Sequence, residues 1–162
     1  LADKYGKRDV FGVALFISTL FILFFYLFAA KSVELMFASQ VLHGFFYGIT
    51  IPLLWAMIAD VADYSEWKNN RRATAPIFSA MMVGLKGGLS IGSALLTKFL
   101  GIFHYVPNSD SVQTDSAIQG TKMLVSVFPA IPFLIGVGLL FFYEINKKME
   151  VRIESDLKER RQ

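Results

Sequence analysis

One lysine in the middle of a long apolar stretch is the residue with the clearest chemical consequence. Residues 73–97 contain no charged side chain except Lys86, which lies twelve residues beyond Thr74. At about 1.5 Å per residue, a helix through this stretch places Lys86 more than about 15 Å from either end. A lysine that faces lipid there costs at least about 2.5–3.5 kcal/mol. We therefore expect Lys86 to face a polar cavity or a carboxylate.

Polar and small side chains share this predicted helix with Lys86. Hydroxyl residues recur with the lysine on one face, at spacings of 7, 4, 3 and 4. These residues are Ser79, Ser90, Ser93 and Thr97. Small residues recur every fourth position on another face, where a second helix backbone can approach closely. These are Ala80, Gly84, Gly88 and Gly92. The pattern predicts a helix that lines a cavity. The alternative is that the serines bond their own backbone and Lys86 forms a structural ion pair.

A cluster of both charge signs follows the second apolar block. Its members are Asp60, Asp63, Glu66, Lys68, Arg71 and Arg72. On a continuing helix, the three carboxylates lie towards one side. They could bind a divalent metal in a membrane phosphotransferase, or simply be solvated. They could also form an ion-pair latch, because surface pairs of about 0–1 kcal/mol each can open reversibly. Since nothing else in the chain provides a phosphate cradle, we favour the latch.

Four apolar blocks must position these residues. Hydrophobic residues make up 54% of the 162 residues and charged ones only 18%, and the mean hydropathy is +0.50. Each block is long enough for a helix that crosses the roughly 30 Å hydrocarbon core. This excludes a water-soluble globule, and the lack of cysteine in the sequence excludes a disulfide scaffold. We predict an all-α polytopic membrane protein with four transmembrane helices, at 10–30, 35–62, 74–103 and 120–145.

The basic residues predict the orientation of these helices. The predicted connections are 1–9, 63–73 and 104–119, and a tail follows at 146–162. Of the 16 lysines and arginines, twelve lie in 1–9, 63–73 and the tail, whereas Lys31 and Lys122 lie on the opposite side. The positive-inside rule then places both termini in the cytoplasm. The same placement argues against nucleic acid as a partner. Because the chain opens on Leu1 in such a loop, we expect a fragment.

Several motifs resemble one family closely. They are Ala59-Asp-Val-Ala-Asp-Tyr-Ser-Glu-Trp-Lys68, Arg72, Ile77-Phe-Ser79, Lys86-Gly-Gly88 and Gly101-Ile-Phe-His-Tyr-Val-Pro-Asn108. The chain thereby resembles the glycoside–pentoside–hexuronide:cation symporters of the major facilitator superfamily, which include melibiose permease. The stretch 71–75 is most similar to the branch that handles xylosides. These proteins have twelve helices, and this chain looks like the last four.

The resemblance implies secondary active sugar transport, coupled to Na⁺ or H⁺ by alternating access, and no enzyme activity. It places Lys86 near the sugar and cation sites, with Met81, Met82 and Leu85 along the sugar pocket. The two methionines stand where melibiose permease has polar residues, so a different sugar is expected. It also implies that Asp63, Glu66 and Arg72 contribute to cytoplasmic gating. The latch hypothesis adds Asp60 and Lys68.

The resemblance further implies that important parts of the site lie outside this chain. The family's cation-binding acids and principal sugar-binding carboxylate belong to the first six helices. The partners expected here are therefore membrane lipid, a small sugar or glycoside, and eight preceding helices of the same inner (plasma) membrane protein. No cofactor other than the coupling cation is expected, and the fragment should be inactive alone. A self-contained four-helix homo-oligomer or small exporter remains an alternative, as does the metal-dependent phosphotransferase.

Overall fold

The computed structural model describes residues 2–28, 32–107 and 113–160. Within them seven α-helices follow one another: α1 (Ala2–Tyr5), α2 (Lys7–Phe28), α3 (Val33–Asn69), α4 (Thr74–Ile102), α5 (Asp115–Val125), α6 (Val127–Leu139) and α7 (Lys147–Arg160), with a 3-10 turn at Leu140–Phe142. Four segments are long and apolar enough to cross a membrane, namely α2, α3, α4 and α5 together with α6. The predicted all-α architecture with four membrane-length segments is confirmed.

The second crossing is longer than predicted. Helix α3 continues to Asn69, so the connection predicted at 63–73 shrinks to residues 70–73. The extra turns persist because Tyr64 and Trp67 pack against an apolar cluster that includes α7. Asn70 caps the helix, and its φ of 52° is the left-handed conformation common at helix C-termini.

The tail, whose widely spaced apolar residues and mixed charge predict an amphipathic helix or a frayed end, is helical, and the loop before the fourth crossing is shorter than predicted. The predicted tail contains the regular helix α7, which begins where the Asn146 side chain accepts a hydrogen bond from the Met149 amide at 3.0 Å. Helix α5 begins at Asp115 rather than 120, since Thr114 caps it. Parts of several predictions lie outside the described residues. They are Lys31, Asn108, and the boundary residues 1, 29–30, 109–112 and 161–162.

The fourth crossing is broken between α5 and α6. Pro129 and Pro132 supply no backbone N–H, so two carbonyls one turn earlier lose their helical donors. At the break Ser126 is fully buried, and its hydroxyl donates to the Lys122 carbonyl at 2.6 Å. The Lys122 carbonyl also accepts the Ser126 backbone N–H at 3.1 Å, so the hydroxyl adds a second bond to this carbonyl and satisfies its own polar group.

A polar contact joins α2 to α3 inside the bundle. The Nδ1 of His43 lies 3.0 Å from the Ser18 carbonyl oxygen and 2.8 Å from its hydroxyl. Because a carbonyl only accepts, Nδ1 donates here. The Ser18 hydroxyl in turn donates to the His43 carbonyl at 3.2 Å. The ring also stacks near Tyr47 and Phe133. His43 therefore links α2 to α3 through hydrogen bonds, and its ring contacts add to the packing of the bundle.

One glycine permits the close contact between α4 and α5. A Cβ added at Gly120 would overlap the ring of Phe103 and lie 2.6 Å from its Cβ. We expect Gly120→Ala to destabilise the complete protein by about 1–3 kcal/mol, as overpacking does elsewhere. Thermal unfolding in detergent measures this. Gly138→Ala is the matched control, because nothing lies within 4 Å of its added Cβ. Unchanged thermal stability of Gly120→Ala would contradict the packing.

Both chain ends meet the end of α3 at one end of the bundle, which we call the basic side. Gly6 is buried between α1 and α2 with a φ of 95°, and an added Cβ would lie 3.2 Å from that of Lys147 in α7. The turn at 70–73 lies at the same end, since Arg160 of α7 bonds Asn70. The three basic segments used to predict the orientation, 1–9, 63–73 and the tail, thus lie at the same end of the bundle. Lys98, which that count left out, lies near the other end of α4.

Candidate functional site

A lysine from the chain start bridges two carboxylates on the basic side. The Nζ of Lys7 lies 2.7 Å from the Asp60 carboxylate and 2.9 Å from that of Glu150. Their side chains are only 16–25% exposed, so water screens these pairs less than surface pairs. Lys147 lies 3.5 Å from the other Glu150 oxygen. We call Lys7, Asp60 and Glu150 the inner cluster, and it ties α2, α3 and α7 together.

A second set of ion pairs spans the turn after α3. The guanidinium of Arg72 lies 3.0 Å from the Asp63 carboxylate and 3.8 Å from that of Glu66. Arg72 is 51% exposed and Asp63 is 36% exposed. We call Asp63, Glu66 and Arg72 the turn cluster. Exposed pairs of this kind contribute little each, about 0–1 kcal/mol, so they can separate at low cost.

The structure divides the predicted latch residues between these clusters and leaves one outside. Asp60 pairs with Lys7 in the inner cluster, whereas Asp63 and Glu66 pair with Arg72. Lys68 donates instead to the Tyr64 hydroxyl at 3.1 Å and lies over its ring. Within the described residues, the ion pairs that the latch hypothesis assumed therefore form without Lys68.

A polar cavity of about 370 Å³ borders the whole inner cluster and Asp63 of the turn cluster. Its charged lining consists of Lys7, Asp60, Asp63, Glu150, Glu154 and Lys158. At its rim the Lys158 ammonium donates to Glu154 at 2.7 Å, and this hydrogen bond with the lysine charge lowers the pKa of the Glu154 carboxyl. Charged side chains of both signs thus line the cavity beside Asp60 and Asp63.

Sequence reasoning missed Lys7 and Glu150, although both belong to charged segments. Lys7 lies 53 residues from Asp60, and Glu150 lies 90 residues beyond it. A weak signal is present in α7, where Glu150, Ile153 and Leu157 recur at helical spacing. Ile153 and Leu157 are indeed buried in the cluster at the end of α3.

Helix α4 contacts the rest of the described chain near its two ends. Near the basic side Phe78 stacks on Trp55, with ring centroids 6.2 Å apart. Near the opposite end Phe99 lies 4.5 Å from Phe128, and Phe103 covers Gly120. Between these ends the helix is open, and no α4 residue is buried.

The predicted cavity residues lie on this open part of α4. Lys86 is exposed, and within the described residues it makes no hydrogen bond or ion pair. The predicted set is otherwise exposed or half-buried: Ser79, Met81, Met82, Leu85, Ser90 and Ser93. The Ser93 hydroxyl donates to the Ser90 carbonyl at 3.0 Å. This bond agrees with the alternative hypothesis that the serines bond the backbone of their own helix. The small-residue face also meets none of the described residues, since added Cβ atoms at Gly84, Gly88 and Gly92 lie in open space.

Four membrane-length helices, one of them with a lysine at its middle, are the architecture of a polytopic membrane protein. The chain belongs to the MFS/sugar transport protein family, whose model matches residues 1–147. The predicted family of major facilitator sugar symporters is thereby confirmed. The chain is accordingly not an enzyme, and the phosphotransferase hypothesis is wrong.

Several proteins with similar sequences are named as symporters or carriers. The chain is 36% identical to the uncharacterized symporter YjmB of Bacillus subtilis over 69% of its own length and 25% of the relative's. It is 29% identical to the putative glycoside/cation symporter YagG of Escherichia coli, over 96% of its own length and 33% of the relative's. It is 24% identical to the glucuronide carrier protein homolog of Escherichia coli, over 96% of its own length and 34% of the relative's. The chain thus spans a quarter to a third of these relatives. No solved structure matches it significantly.

Proposed function

We propose that this chain is the C-terminal third of a sugar:cation symporter that works by alternating access. The observation that carries the proposal is the open middle of α4, with an intramembrane lysine that the described chain leaves without a partner. An ammonium inside a membrane needs a polar cavity or an anion. The transport names of the relatives and their threefold greater length support a cavity completed by other helices.

In this proposal α4 lines the sugar cavity through its lysine face. Lys86 donates hydrogen bonds to sugar hydroxyls or to a carboxylate of the preceding helices. The hydroxyls of Ser79, Ser90 and Ser93 follow it along the same face. Met81, Met82 and Leu85 provide an apolar wall on which the less polar face of a sugar ring can pack. A relative named for glucuronide suggests that charged sugars belong among the substrates to be tested.

The small-residue face of α4 takes part in assembly with eight preceding helices. Its exposed glycines allow the close backbone approach that drives helix packing in lipid. The chain alone lacks these helices, so we propose that it does not transport. The basic side faces the cytoplasm of a plasma (inner) membrane, because twelve of the 16 lysines and arginines belong to segments at that end. Na⁺ or H⁺ is the coupling ion, and the xyloside branch supplies the first sugars to test.

Flux measurements in liposomes test this function. The complete protein that contains this chain and the 162-residue chain alone are reconstituted separately, and uptake of labelled xylosides, other glycosides and glucuronides is followed. Each sugar is tested with a Na⁺ gradient, with a H⁺ gradient and without a gradient. We expect gradient-driven accumulation by the complete protein and none by the chain alone. Accumulation by the chain alone would instead support the self-contained four-helix oligomer, and no uptake by the complete protein would contradict sugar symport.

A further inference from the structure

We propose that α7 is a clasp that holds the turn cluster in its paired arrangement. We define the clasp as the contacts that Arg152, Asp156 and Arg160 of α7 make with Trp67 and Asn70 at the end of α3. Its role as a control of gating rests on the proposed transport function. The contacts themselves, and their effect on the turn, belong to this chain alone.

An apolar surface seats α7 on the end of α3. Ile153 and Leu157, one turn apart, are only 4% and 5% exposed. They pack together with Val61, Tyr64 and Trp67 of α3. Because the outer face of α7 is charged, this narrow stripe fixes which face of the helix meets α3. The seat therefore sets the position from which the polar clasp residues reach the turn.

The indole of Trp67 is held from two directions. Its Nε1 donates to the Asp156 carboxylate at 2.7 Å. The guanidinium of Arg152 lies over the ring, 5.8 Å from a centroid, and 3.9 Å from Asp156. A charged acceptor makes the indole hydrogen bond stronger than a neutral one. Trp67 is the neighbour of Glu66 in the turn cluster, so its position restricts that carboxylate.

Arg160 fixes the end of α3 itself. Its guanidinium donates to the Trp67 carbonyl at 3.1 Å and to the Asn70 side-chain oxygen at 2.9 Å. A cation is favourable at a helix C-terminus, where carbonyls have no helical donors. Asn70 adopts the left-handed conformation that ends the helix. Only Arg71 separates this residue from Arg72, so the clasp and the turn cluster hold the same short turn from opposite sides.

The contact geometry makes Arg72 dependent on α7. The ion pairs of Arg72 are exposed and individually weak, so the direction in which the chain leaves α3 decides whether they form. Removing the clasp leaves the turn with the bond from the Ser65 hydroxyl to the Arg71 carbonyl at 3.1 Å. Asn70 is then free of α7, and the turn samples more directions in which Arg72 leaves Asp63. Trp67, Asp156 and Arg160 are therefore positioning residues for the gate, and they act through Arg72.

Thiol labelling of the turn tests the clasp. In the complete protein, with cysteines outside this chain replaced, Arg71→Cys reports on the turn, because the chain has no cysteine of its own. A membrane-impermeant maleimide is applied to the basic side. Asp156→Ala removes the acceptor of the indole bond, Trp67→Phe removes its donor, and Arg160→Ala removes the helix-end contact. We expect each to raise the labelling rate about two- to fivefold, the range for exposed polar contacts. The maximal sugar exchange rate should change, with KM unchanged.

Glu159→Gln is the matched control, since it removes a carboxylate from the exposed side of the same helix. Labelling rates within experimental error of the parent in all three variants would overturn the clasp. The same conclusion follows if a variant lowers only the unfolding temperature, because α7 would then merely stabilise the fold. Labelling does not require transport. A raised rate in a protein that moves no sugar would therefore support the clasp and contradict the proposed function separately.

Discussion

Replacing Lys86 with alanine in the complete protein is expected to lower cation-driven sugar accumulation about tenfold to a hundredfold. The lysine lies in the open middle of α4, where the described chain gives it no partner. In the proposed transporter its partner is a sugar hydroxyl or a carboxylate of the preceding helices. A hydrogen bond to a charged group contributes about 1.5–3 kcal/mol, which corresponds to this change in rate or affinity. Initial uptake rates and the final accumulation ratio measure the effect.

Two further variants show whether the position or the charge matters. Lys86→Arg keeps the charge but changes the geometry of its donors, so it should retain part of the activity. Lys98→Ala is the matched control, because it removes a lysine near the end of the same helix. We expect near-parent uptake from this control. Parent-like accumulation by Lys86→Ala, with its expression level unchanged, would show that the lysine is not part of the transport site.

The crossings were predictable because a membrane imposes a simple rule on sequence. A segment that spans about 30 Å of hydrocarbon must satisfy its backbone internally and avoid charge, which leaves uninterrupted apolar runs. The boundaries were less accurate where other forces decide them. Helix α3 passes the predicted end at 62 because α7 covers Tyr64 and Trp67. That contact joins residues almost 90 positions apart, and no local pattern records it.

The polar sites likewise include some that the sequence predicts and some that only tertiary packing determines. The stripe of Lys86 and the serines lies on a single helix, so its 3.6-residue period could be read directly. The pairing of Arg72 with Asp63 was also accessible, since both lie beside one short turn. The partner of Asp60 was not, because Lys7 reaches it only once α2 and α3 have packed. Charge alone offered several basic candidates for Asp60, and tertiary packing chose one of them.

Breaking the inner cluster at Lys7 is expected to cause a large loss of stability. Lys7→Met keeps the length of the side chain but leaves the Asp60 and Glu150 carboxylates, each about four-fifths shielded from water, without the cation between them. Removing one partner of a fully buried pair costs about 3–5 kcal/mol. Partial exposure reduces this, so we expect about 1–3 kcal/mol. The unfolding temperature of the complete protein in detergent should fall by several degrees.

A double-mutant cycle separates the ion pairs from the packing of the side chains. Asp60→Asn alone should also destabilise, because Lys7 then retains only Glu150. If Lys7 and Asp60 interact directly, the double variant Lys7→Met with Asp60→Asn loses less stability than the sum of the two single losses. Arg8→Met is the control, since Arg8 bonds the Tyr143 carbonyl and the adjacent Asp9 and does not reach this cluster. Additive losses would mean that the 2.7 Å contact does not couple the helices, and Asp60 would then be available to the gate instead.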